Sequence, residues 1–219
     1  MSFINQISLS NKLNKVIPSL FIFYSVGIVG MYAFASLFQD LTPMTLVMTL
    51  GLLLIYHPAY NLKLVIALIL VFLGGYGVEV LGVKTGVIFG EYAYGDTLGF
   101  ALFDVPLMMG VNWVLMVYTT ACVVEQFSNK WWTKAIFGSA LMVLTDYFME
   151  PVAMRYDFWN WADATIPFQN YLAWYIFAFL FHLVFYFLVP KINNQIGKWV
   201  WLAMAFFFGS LYLLIQVGA

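Results

Sequence analysis

Runs of about twenty apolar residues, nearly free of charge, recur along the chain. A hydrocarbon core about 30 Å thick is crossed by about twenty residues of α-helix, so each run reads as a membrane span. Composition closes the alternative of a water-soluble domain: 64% of the residues are hydrophobic and 9% charged, and the mean hydropathy is +0.91. A soluble fold of 219 residues could not cover itself with water-compatible groups from that supply. The expected class is an all-α membrane protein, a single integral-membrane domain over residues 1–219 with about seven transmembrane helices. A net charge of -1 without a basic run leaves no footprint for nucleic acid. The lone cysteine, Cys122, supports neither a disulfide nor a thiolate zinc site and reads as a packing residue.

In chain order the expected spans are residues 16–38, 44–56, 62–81, 104–127, 131–148, 169–188 and 199–215, after a polar lead over 1–15. The first is longer than the core of a cleavable signal peptide and is expected to be retained. The segment 40–43 reads as a turn, with Thr42 as a cap and Pro43 at the first helical position. Between the third and fourth spans, residues 82–103 are too rich in glycine for a stable helix. They also hold Val87, Ile88, Phe89, Phe100, Leu102 and Phe103, which call for burial, so the segment is expected to fold back over the mouth of the bundle. Asp104 followed by Pro106 reads as the start of the fourth helix, and Pro151 as the end of the fifth.

Counting cations in alternate loops orients the chain. With the N-terminus inside, Lys12, Lys15, Lys63, Lys130, Lys134, Lys191 and Lys198 are internal, against Lys84 and Arg155 outside. Two polar islands, 74–113 and 146–174, then share the outer side and are read as one site. Charges near a bilayer are costly enough to mark function. Glu79, Asp104, Asp146, Glu150 and Asn170 fall at one depth on four helices, and Asp146 and Glu150, four apart, share a helical face. Two carboxylates so close in low dielectric cannot both ionise cheaply, so the pair is expected to keep a proton that it can donate. The same residues allow structural readings: Glu79 paired with Lys84, Glu150 with Arg155, and Asp104 as a helix cap only. His57 and His182 lie toward the other side, apart from the acids, so no metal site is expected. Trp113, Trp159, Trp161 and Trp174 can line an apolar slot or steady a cation.

The run Glu79-x-x-Gly82-Val-x-Thr85-Gly86-x-x-Phe89-Gly90-x-Tyr92-x-Tyr94, with Leu98-Gly99, Val105-Pro106 and Trp113, resembles the integral-membrane carotenoid biosynthesis proteins, the family typified by bisanhydrobacterioruberin (C-1',2' carotenoid) hydratase. A second block, Asp146-x-x-x-Glu150-Pro151, Trp159-x-Trp161, Ile166-Pro167 and Asn170-Tyr-x-x-Trp174, is similar to the same family. Glu150 departs from the pattern of many members, which carry Asp there, an acid-for-acid change. The resemblance implies a cofactor-independent hydro-lyase of the cell membrane, whose partners are an acyclic carotenoid, water, the lipid bilayer and other enzymes of carotenoid synthesis. Acid catalysis through a tertiary carbocation would add water to the terminal double bond of the carotenoid. On that reading Asp146 and Glu150 supply the proton and Glu79 or Asp104 handles the water, while Asn170, Tyr92, Tyr94, Trp113, Trp174 and Asn112 bind substrate. No nucleotide-binding glycine fingerprint, P-loop or metal-ligand spacing is present in the sequence. A carotenoid cyclase, a prenyl-transferring elongase and a pigment-binding or transport protein are the rivals. An elongase would need paired acidic clusters, and this sequence offers only Asp146-x-x-x-Glu150 with Arg155.

Overall fold

The computed structural model describes residues 3–218, and its elements confirm an all-α membrane protein. The helices are α1 (Phe3–Ala33), α2 (Ala35–Phe38), α3 (Thr42–Ile55), α4 (Leu62–Thr85), α5 (Met108–Val124), α6 (Trp131–Arg155), α7 (Phe168–Leu188) and α8 (Gly197–Gly218). Four short strands join them: β1 (Tyr92–Tyr94), β2 (Ala101–Leu102), β3 (Val105–Pro106) and β4 (Trp159–Trp161). Among the described residues, six apolar helical stretches are long enough to cross a membrane: Leu13–Ala33, Ala35–Ile55, α4, α6, α7 and α8.

The first two spans differ in detail from the sequence reading. The break falls at Phe34 (φ -138, ψ 50), and α2, a 3₁₀ turn (Gln39–Leu41) and α3 then follow as one apolar stretch. The expected turn at 40–43 is therefore a single 3₁₀ turn inside a span. Thr42 makes no capping bond, whereas Pro43 does stand at the helix start. Asn61 caps α4 by accepting from the Leu64 amide at 2.9 Å, and Gly86 ends it in the left-handed conformation at φ 65.

The fourth helix is the larger correction. α5 starts at Met108, and Asp104 caps nothing; Phe103 and Asp104, at φ 56 and 66, form the two-residue turn of a β2–β3 hairpin. Seventeen residues make α5 shorter than α4, α6, α7 and α8, and it lies in the middle of the bundle, packed on those four and on α3. Its sequence is apolar on every side, as a fully enclosed helix requires. Pro151 does not end α6; the helix runs on to Arg155 and so carries both Asp146 and Glu150.

The two polar islands meet at one end of the bundle. β1 pairs antiparallel with β4, in the register Tyr92↔Trp161, Ala93↔Asn160 and Tyr94↔Trp159. Of the apolar residues expected to be covered here, Phe89 is buried, but Val87, Phe100, Leu102 and Phe103 are exposed.

Candidate functional site

Side chains two apart on a strand share a face. The alternation Tyr-x-Tyr in β1 and Trp-x-Trp in β4 therefore presents two phenols and two indoles together, and the cross-strand register sets them side by side. Both phenols donate to Glu79 Oε2, Tyr92 and Tyr94 each at 2.7 Å. Both indoles donate to Glu150 Oε2, Trp159 at 2.9 Å and Trp161 at 2.8 Å. One small sheet thus holds two carboxylates that reach it from different helices.

Each acid has further support from inside the bundle. Trp113 on α5 donates to Glu79 Oε1 at 2.9 Å and stacks on Trp174 of α7, with ring centroids 4.3 Å apart and planes 8° apart. That indole lies where a Cβ at Gly75 would come within 2.3 Å of the ring, so only glycine lets it reach Glu79. Asn170 donates from its single amide nitrogen to Glu150 Oε1 at 2.9 Å and to Asp146 Oδ2 at 3.1 Å, tying the pair on α6 together. Glu79, Asp146, Glu150 and Asn170 are all buried.

Five of the six carboxylate oxygens accept a hydrogen bond. Asp146 Oδ1 is the exception: it is buried and has no partner among the described residues. It is the position where a carboxyl hydrogen can sit without displacing a donor. Burial, then the nearby charge of Glu79, raises the Tyr92 and Tyr94 hydroxyls above the ordinary phenol value, so both remain donors. Between Glu79, Glu150, Asn170 and the aromatic rings lies a cavity of ≈ 10 Å³, about the space that the centre of one water needs. A larger cavity of ≈ 140 Å³ between α1, α3 and α8 is lined by no carboxylate.

Of the residues singled out from the sequence, Glu79, Asp146, Glu150, Asn170, Tyr92, Tyr94, Trp113 and Trp174 come together here. Asp104 does not: it is exposed on the hairpin turn and pairs with Lys84. That pairing also removes Lys84 as a partner of Glu79, and Glu150 is bound by indoles and an amide rather than by Arg155. Asn112 is buried on α5 beside Trp113, with no side-chain hydrogen bond to the cluster among the described residues. The indoles of Trp159 and Trp161 line the cavity and are also direct hydrogen-bond donors to Glu150, a role that their i, i+2 spacing signals once β4 is known to be a strand. No group of three His, Cys, Asp or Glu among the described residues could hold a metal ion.

A family model described as "Carotenoid biosynthesis protein" matches residues 42–218, which include every residue of this cluster. Bisanhydrobacterioruberin hydratase of Haloarcula japonica is 30% identical over 138 residues, 59% of this chain and 47% of the relative. The chain therefore spans about half the length of the curated relative that it matches. No solved structure matches.

Proposed function

The chain belongs to the carotenoid biosynthesis protein family, and from that premise we propose that it is a carotenoid hydratase, adding water to the terminal double bond of an acyclic carotenoid. The observations that carry the reading are a buried, unpartnered oxygen on Asp146, which Asn170 ties to Glu150, and a water-sized cavity that Glu79, Glu150 and Asn170 line. The similarity to a protein named as a hydratase supports the same chemistry.

Asp146 is the acid in this mechanism. Its Oδ1 proton passes to the less substituted carbon of the terminal alkene, the π electrons form the new C–H bond, and the neighbouring carbon becomes a tertiary cation. The faces of Trp161, Trp174 and Tyr92, which line the cavity, stabilise that charge. Water held beside Glu79 attacks the cation through an oxygen lone pair, and Glu79 takes the proton that the new alcohol sheds. Transfer across the cavity through Glu150 returns a proton to Asp146, so the count closes with the alkene and one water consumed. Asn170 and the four strand aromatics hold the acids in place. As it stands the cavity has room for water but not for an isoprenoid end, so the aromatic cover shifts when substrate enters.

The cation bias of the loops supports an N-terminus inside and a site toward the outer face of the cell membrane. A rod-like carotenoid matched to the hydrocarbon thickness would bring its end to that depth. Expression in a bacterium that accumulates an acyclic carotenoid tests the activity. The expected pigment is more polar and heavier by one water, with an unchanged visible spectrum. An isomer of equal mass would replace hydration by cyclisation, and bound but unaltered pigment would replace catalysis by binding.

A further inference from the structure

The hairpin formed by β2 and β3 presents an apolar surface that the bundle does not cover. Phe100 is 74%, Phe103 62% and Leu102 44% exposed. Three contacts fix its height against α4. The Tyr76 hydroxyl donates to the carbonyl oxygens of Leu102 and, at 3.3 Å, of Val105. Phe72 packs where a Cβ at Gly110 would meet it at 2.7 Å, and Trp113 packs on Gly75. Residues 102–113 therefore run beside residues 72–79 of α4, with the turn at Asp104 reaching Lys84 near its end. Tyr76 lies nine residues before Thr85, about 13 Å along the helix at 1.5 Å per residue. With 24 residues, α4 is about 36 Å long, only slightly more than the hydrocarbon layer of about 30 Å.

At that depth no water is available to backbone groups, and non-helical chain persists only if its polar atoms are satisfied by protein. Several of the hairpin's polar atoms are covered in this way. Tyr76 covers two carbonyls, the Leu107 amide donates to the Phe100 carbonyl at 3.1 Å, and Pro106 has no N–H to satisfy. Its one charge, Asp104, is neutralised by Lys84 from the end of α4.

We propose that this hairpin is a re-entrant element whose Phe100, Leu102 and Phe103 face is immersed in lipid acyl chains, in the leaflet on the carboxylate side. β3 leads through Leu107 into α5, whose Met109 lines the cavity, so this element is continuous with the wall of the site. The inference is independent of the hydratase reading, because depth is measured without turnover.

Phe103→Cys and, separately, Phe100→Cys in a Cys122→Ala background give single attachment points for a nitroxide, and Asp163→Cys, in the exposed loop after β4, gives a reference. Collision with molecular oxygen and with a water-soluble nickel chelate is then measured by electron paramagnetic resonance in phospholipid vesicles. Immersion predicts that oxygen dominates at 100 and 103 and that the preference reverses at 163. Nickel access at 103 equal to that at 163 would put the hairpin in water and overturn the proposal. Labels shielded from both reagents and broadening one another would overturn it in favour of a second copy of the chain.

Discussion

The protein has two buried polar regions, one at each end of α5, and they are built on opposite terms. At the far end opposite charges cancel: Lys134 lies 2.6 Å from Glu125, with its ammonium 5.4 Å from the Tyr186 ring centroid. His57 bonds Tyr118 at 2.6 Å, Asn194 bonds the same hydroxyl at 2.8 Å, and His182 bonds Thr120 at 3.0 Å. Burial lowers the His57 imidazole from its ordinary value, so it serves as a neutral partner. At the carboxylate end three acids converge with no cation in hydrogen-bond reach among the described residues, a carboxyl oxygen is unpartnered, where the far end leaves only the Tyr186 hydroxyl so, and a water-sized void remains. Buried charge that is matched holds structure together, and buried charge left unmatched by donors alone is available for chemistry.

Substitutions at the two ends should therefore separate activity from stability. Asp146→Asn or Glu150→Gln is expected to lower product formation by about 10²–10⁴-fold, the usual worth of a general acid or base, and in Asp146→Asn, whose amide nitrogen can take the unpartnered Oδ1 position, thermal unfolding of the purified protein stays near the wild-type midpoint. Normal turnover in both would break the comparison. Glu125→Gln is expected to do the reverse. It strands a buried ammonium at a cost of the order of 3 kcal/mol, readable as a lowered unfolding midpoint, with activity per folded molecule retained.

Two smaller effects sharpen the boundary of the site. Trp159→Phe removes one of the two indole donors on Glu150 Oε2. Hydrogen bonds to charged groups contribute about 1.5–3 kcal/mol, so turnover should fall about tenfold or more. Asp104→Asn breaks an ion pair with Lys84 that lies outside the carboxylate cluster, and should leave turnover per folded molecule unchanged. A loss matching that of Asp146→Asn would return Asp104 to the chemistry.

The spans and the union of the two islands were legible because hydropathy and expensive charges are local signals. The family was legible in the ordered motifs around Glu79 and Asp146. What misled was geometry between elements. Asp104 before Pro106 carries the signature of a helix start, yet the chain turns there through two left-handed residues, and α5 begins four residues later beside the middle of α4. Its depth follows from Tyr76, Gly75 and Phe72, which no reading of residues 104–127 alone includes. Pro151 looked like a terminus, but a helix that continues to Arg155 tolerates it. The indoles of Trp159 and Trp161 were visible as residues. Their role depended on a strand pairing across more than sixty positions, which residue type does not encode.

The most direct test of the account is to incubate purified protein and an acyclic carotenoid in water labelled with both deuterium and heavy oxygen, with the Asp146→Asn variant alongside. The account predicts one heavy oxygen on the tertiary carbon and one deuterium on its neighbour from the wild-type chain, and neither label from the variant. Deuterium without heavy oxygen, or labelling undiminished in the variant, would contradict it.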